Sequence, residues 1–165
     1  MEESMTEDRI AALAERFRRL GCAEPDSLAR TQIEEDTPEL ARFVFLQELW
    51  RLVIRNGDLY GLNYFAGPND DGRGGALRRI KECGVDLKDL FTVIQEAQIN
   101  VIRDLAGVLD GLNNLGRELE DVSWGLYELD SDLKPTRPID SLHESIDDED
   151  VQLPRHRSSN QRPWP

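Results

Sequence analysis

Residues 87–112 read LKDLFTVIQEAQINVIRDLAGVLDGL, and the spacing within this stretch decides the fold class. Leu87, Phe91, Ile94, Gln98, Val101, Leu105, Val108 and Leu112 recur in alternating steps of four and three, which is how side chains line one side of an α-helix. At 1.5 Å per residue such a helix is roughly 39 Å long, enough to span a small domain. Leu90, Ala97, Ile102 and Leu109 widen the stripe, as expected for packing in a globular bundle more than in a two-stranded coiled coil. Asp86 stands where an N-cap is needed. Gln98 is the one polar member of the seam. It reads first as a core amide that fixes helix register, and second as a contact at a dimer or partner interface.

Three further helices are predicted upstream. The first covers 6–20, with Thr6 as its cap, Glu7 and Asp8 at its positive end, and Gly21 as its stop. Ile10, Leu13, Ala14, Phe17 and Leu20 give it an apolar face. A connector, 22–36, holds a turn or two of helix over 25–32. The next helix begins with Thr37 as N-cap and Pro38 at the first helical position, and ends at Asn56-Gly57. Nine of its twelve positions from 43 to 54 are apolar. Gln47, Glu48, Arg51 and Arg55 gather on one side, so this helix belongs in the middle of the bundle. Residues 58–75 form an irregular loop, followed by a short helix over 75–83 that closes at Gly84.

Downstream of Gly116 the pattern changes. Trp124-Gly125-Leu126-Tyr127-Glu128-Leu129 is too short and interrupted for a helix, Asp130-Ser131-Asp132 is turn chemistry, and residues 134–138 return as an extended segment. A hairpin over about 122–138 follows, then a brief helical turn over 141–146. The expected fold is mainly α: an irregular four- to five-helix bundle in one domain, 1–146, with a small C-terminal hairpin. Residues 130–150 hold eight acids and two bases, whereas 151–165 hold three arginines and no acid. With Pro154, Pro163 and Pro165, residues 147–165 read as a flexible tail.

Composition bounds the function. Thirty-three Asp and Glu against twenty Lys and Arg give the 165 residues a formal charge of −13. Nucleic acids and anionic membrane surfaces both ask for clustered cations, so neither is an expected partner. Cationic surfaces are. No stretch reaches the roughly 18 apolar residues of a membrane-spanning helix. The N-terminus is acidic where a signal peptide is basic, and Cys22 and Cys83 lack a metal-type spacing. Reduced thiols in a cytoplasm fit best.

The run Trp124-Gly125-Leu126-Tyr127, Asp130, Lys134-Pro135, Arg137-Pro138 and Leu142-His143-Glu144-Ser145 resembles small, uncharacterised helical bacterial proteins that end in a WGL(Y/F)…D…KP…RP…LHES segment. Cys83-Gly84-Val85-Asp86-Leu87, entering a long helix, fits the same group, so the resemblance covers about 83–146. It implies a bacterial, cytoplasmic protein and carries over no catalytic residue.

Candidate sites are weighed against plainer readings. The loop Gly67-Pro68-Asn69-Asp70-Asp71-Gly72-Arg73-Gly74-Gly75 precedes a helix, as phosphate loops do, but Ala76-Leu77 stand where Lys-Ser or Lys-Thr is needed, and two carboxylates repel phosphate. A calcium loop from Asp70 has Gly72 in the third position and Lys81 in the twelfth. One from Asp130 reaches Asp132, then meets Lys134 and Ser141 where a ligand and a Glu belong. No metal and no cofactor is expected. Asp140, Ser141, His143 and Glu144 are the residue types of a hydrolytic triad, yet adjacency does not set a base facing a nucleophile. No enzyme is expected.

The remaining surface is Glu118, Glu120, Asp121, Trp124, Tyr127, Glu128, Asp130 and Asp132. Aromatic anchors supply contact area and carboxylates supply steering, which suits a cationic protein partner. The plainer reading has Trp124 packing the hairpin on the bundle among solvated acids. The function expected is a non-catalytic acidic interaction module, in its sharpest form an immunity-type protein that occludes a basic toxin. One alternative is a small-ligand binder or enzyme using the 58–75 loop, with Tyr60, Tyr64 and Asp70. Another is a structural homo-oligomer, a homodimer included, paired through the long helix.

Overall fold

The structure, a computed structural model, describes residues 2–53, 73–112, 123–148 and 151. Among them the chain is mainly helical, as expected, with a two-stranded antiparallel hairpin near the C-terminus. The elements are α1 (Glu2–Leu20), α2 (Pro25–Glu34), α3 (Glu39–Arg51), α4 (Arg73–Glu82), α5 (Leu87–Leu109), β1 (Leu126–Leu129), β2 (Pro135–Ile139) and α6 (Leu142–Ser145). They fall into two compact units: one of Met1–Arg51 and Ile102–Leu153, the other built on Leu52–Val101, with α5 contributing to both. No described helix is long and apolar enough to cross a membrane.

In the first unit α1 buries Ile10, Leu13, Ala14 and Phe17, α2 buries Ala29, and α3 buries Leu40, Phe43, Leu46 and Leu49. Phe17 and Phe43 meet edge to face, with ring centroids 5.7 Å apart and planes at 77°, the geometry favoured by the ring quadrupoles. Burying one such ring contributes roughly 2–3 kcal/mol. Outside this core Arg18 donates to both carboxylate oxygens of Asp26 at 2.6 and 2.7 Å, linking α1 to α2. That hydrogen bond raises the Arg18 guanidinium above its ordinary range. The bonds from Arg30 to Glu34 and then Glu7 do the same for Arg30.

The helix starts depart from expectation. Thr6 lies inside α1, because the helix already runs from Glu2, where acidic side chains suit the positive end of the dipole. The connector is more helical than a turn or two, since Pro25 opens a ten-residue α2. Thr37 does not cap α3: its hydroxyl is buried with no hydrogen-bond partner among the described residues. Gln32 of α2 acts instead, its Oε1 accepting the Leu40 backbone N–H at 2.8 Å. Gln47, expected to gather on one side with Glu48, Arg51 and Arg55, is only 5% exposed. Its Nε2 donates to Leu20 O at 3.1 Å and so satisfies a carbonyl at the end of α1. The expected continuation of α3 to 56–57 falls beyond Arg51, and residues 54–57 lie outside those described.

Asp86 caps α5 as expected, its Oδ1 accepting the Lys88 N–H at 2.8 Å. Gly84 and Gly111, at φ +78° and +71°, take the left-handed conformation that closes α4 and α5. The buried side of α5 shares only Phe91 with the expected seam. Phe91, Ile99, Ile102 and Ala106 are buried, whereas Val101, Leu105 and Leu112 of the heptad line are exposed and Gln98 is half-buried. The buried line is rotated by almost a quarter turn from the seam, because an apolar arc this wide admits several packings. Within the expected tail, Asp147 accepts three bonds from Arg103 at 2.8, 3.0 and 3.1 Å, and Val151 is buried. Residues 152–165 lie outside the described part.

Candidate partner-binding hairpin

Alternation along β1 and β2 sorts the hairpin into two faces. Leu126 pairs with Ile139, Tyr127 with Pro138 and Leu129 with Pro135, with one irregularity between Tyr127 and Leu129. Ile139 is buried, and Leu126 and Glu128 turn inward with it, whereas Tyr127, Leu129, Thr136 and Pro138 turn outward.

The inward face is fixed within the first unit by polar bonds at both ends. Arg137 donates through Nε and Nη2 to Glu128 Oε2, at 2.8 and 2.5 Å. Its Nη1 reaches across to the segment between α2 and α3, donating to Thr37 O at 3.0 Å and Asp36 Oδ1 at 3.3 Å. Charge-assisted bonds from one planar guanidinium to three acceptors set orientation as well as energy.

The other end hooks onto the C-terminus of α5. Trp124 Nε1 donates to Val108 O at 2.6 Å. Asp110 Oδ2 accepts the His143 backbone N–H at 2.8 Å and lies 2.6 Å from His143 Nδ1. Asp110 Oδ1 is buried without a partner among the described residues. Below this, Leu142 and Ile146 are fully buried, and Trp50 Nε1 donates to Ile146 O at 2.7 Å, tying α6 to α3.

The tip follows from Asp130. Its Oδ1 accepts the N–H groups of Asp132 and Lys134 at 2.8 and 3.0 Å, while its own N–H donates to Lys134 O at 3.0 Å. This is the Asx geometry that makes Asp a turn residue. Asp132 faces Lys134, with 3.7 Å between charged atoms. Leu133 is forced to φ +62° and is 76% exposed. An L-residue other than Gly or Asn is strained there. Tyr127 at 48% and Leu129 at 51% continue the exposed apolar surface down the outward face.

Of the expected binding residues, the hairpin therefore brings together Trp124, Tyr127, Asp130 and Asp132. Glu118, Glu120 and Asp121 lie outside the described residues, as do Tyr60, Tyr64 and Asp70 of the loop alternative. Glu128 does not join the acidic face, because it turns inward to Arg137. Leu129 and Leu133, which were not among the expected residues, are exposed beside them, and strand alternation from Tyr127 points to Leu129. Of the four triad-type residues, His143 takes Asp110 rather than Asp140 as its carboxylate, and its Nε2 lies 3.9 Å from Glu144. Among the described residues no hydrogen bond joins Ser141 to His143, and no three His, Cys, Asp or Glu side chains are grouped to hold a metal. No family model matches the chain, and neither a curated protein nor a solved structure matches it.

Proposed function

We propose that the protein is a non-catalytic interaction module that docks a cationic protein partner on the outward face of its hairpin. The observation that carries this reading is Leu133. It is large, apolar and almost wholly in water, and it occupies a backbone conformation that favours Gly or Asn. Neither packing nor turn geometry calls for a leucine there, and strained positions of this kind cluster at binding surfaces. Tyr127 and Leu129 supply the adjoining contact area, and aromatic anchors of this type dominate interface energetics. Asp132 and the net charge of −13 favour a basic partner by steering encounter. An immunity-type protein that occludes a basic toxin is the sharpest form of this reading.

The test is affinity capture from the native host at low and high salt, comparing the natural chain with Tyr127→Ala and Leu133→Asp. A basic protein retained at low salt, released by salt and lost with either substitution supports the proposal. Retention by both variants overturns it.

A second reading, self-association through α5, draws support from the exposed heptad positions, with Val101 at 63%. Light scattering over a wide concentration range, with Val101→Glu as the control, separates it from the first. A monomer at high concentration ends it.

A further inference from the structure

We propose that a cleft between α1 and α3 binds a small amphiphilic monocarboxylate, independently of the hairpin. The cleft has a volume of about 290 Å³ and is lined by Arg16, Arg19, Leu20, Leu40 and Val44. On α1, Arg16, Arg19 and Leu20 stand at i, i+3 and i+4, and on α3 Leu40 and Val44 stand at i and i+4, so each set shares one helix face. In a chain of net charge −13 this hollow is rimmed by cations over an apolar floor.

The two arginines are not equally engaged. Arg19 donates to Glu15 at 3.1 Å, whereas Arg16 has no hydrogen-bond or ion-pair partner among the described residues. Nor is Arg16 needed as a donor to the end of α1. Phe17 O accepts from Cys22 N at 3.1 Å, Arg18 O from Gly21 N at 3.0 Å, and Leu20 O from Gln47 Nε2 at 3.1 Å. Three of the last four carbonyls of α1 are therefore capped without it, and the Arg16 fork is available.

A guanidinium takes a carboxylate through two parallel N–H···O bonds, and an ammonium ion or a neutral head group gains nothing comparable. The apolar floor then takes the body of the ligand. Octanoate, a carboxylate on a short apolar chain, is a suitable probe for a cleft of this kind. Glu15 already engages Arg19, so Arg16 is the cation left to receive the anion, and carboxylates beyond about 8 Å are screened at physiological salt.

The experiment is an amide NMR titration of the full chain at physiological salt with octanoate, octanol and octylamine. It is run on the natural protein, on Arg16→Gln, and on Arg9→Gln, an exposed α1 arginine outside the cleft. Octanoate is expected to shift Leu20, Leu40 and Val44 saturably and to bind at least tenfold more tightly than octanol, with octylamine inert. Arg16→Gln is expected to weaken octanoate at least tenfold and Arg9→Gln to leave it unchanged. Because Arg16 is exposed, the same spectra report an intact fold. Absence of saturable shifts, equal binding of octanol, or full affinity in Arg16→Gln each overturns the proposal.

Discussion

Replacing Arg137 by Met tests whether the hairpin is held by its polar clamp or by apolar contact alone. Methionine keeps most of the aliphatic stem and removes the charged fork. Arg137 and Glu128 are 24% and 29% exposed at their side chains, so the pair is largely shielded without being dry. Breaking a fully buried ion pair by removing one partner costs about 3–5 kcal/mol, chiefly through the stranded charge. Partial exposure lowers that figure, whereas the lost bond to Thr37 O adds about 1 kcal/mol. The contact with Asp36 adds little, because Asp36 is in water. The expected cost is about 2–4 kcal/mol, or a fall in Tm of roughly 5–15 °C for a chain of this size.

Urea denaturation with amide exchange across β1 and β2 reads both the total and its location. Pairing Arg137→Met with Glu128→Met removes the stranded carboxylate, so the double variant is expected to regain at least half of the loss. A cost below about 0.5 kcal/mol with hairpin protection unchanged refutes the clamp. So does a double variant no better than the single one, because the penalty then lies in something other than the unpaired charge.

Leu133→Asn is expected to leave stability unchanged or raise it by up to about 1 kcal/mol, since Asn tolerates the left-handed conformation. A fall measured by thermal denaturation shows that Leu133 packs after all. Gln47→Leu strands the Leu20 carbonyl and is expected to cost about 1–3 kcal/mol in urea; a neutral outcome removes Gln47 from the account of how α1 ends. Gln32→Ala deletes the cap of α3 and is expected to cost about 1 kcal/mol, with faster exchange confined to the first turn of that helix. Trp124→Phe keeps the ring and loses the bond to Val108 O. It is expected to raise hairpin exchange rates before it changes global stability, and no change in exchange argues against the hook.

What was legible in the sequence was what depends on neighbours in the chain. Gly84, Gly111 and Asp86 mark the ends of α4 and α5 through local backbone chemistry, and Asp130 announces its turn because its carboxylate bonds residues two and four places on. The errors share one physical origin, which is competition from a distant group. Thr37 is an ideal cap residue, yet Gln32 of the preceding helix reaches the α3 N-terminus first. Gln47 looks like one of a polar group with Glu48 and Arg51 until the end of α1 presents a carbonyl beside it. His143 has Asp140 and Glu144 near it in sequence and bonds Asp110, thirty-three positions away. On α5 the apolar arc is wide enough that spacing alone could not say which side the fold would use, and the heptad line proved to be its flank. At the candidate site the same rule holds. Alternation placed Tyr127, while the exposure of Leu133 follows from a turn geometry that is visible only once Asp130 is seen to bond Lys134.

These long-range bonds also bear on why a hairpin is present at all. A lone two-stranded hairpin is marginal in water, and this one is made rigid by groups on its inner face and at its ends: Arg137, Trp124, and the Asp110–His143 contact just beyond β2. None of these groups involves Tyr127, Leu129 or Leu133. Were the hairpin only a cover for the core, its outward face would be expected to carry polar side chains, and its tip a residue at ease in the left-handed region. Instead the anchored half supplies stiffness and the outward half carries apolar surface that stability does not require. A pre-organised surface loses little conformational freedom on binding, so even a small contact can be selective. Stability and binding should therefore respond to different substitutions: Arg137 and Trp124 govern the first, and Tyr127 and Leu133 the second.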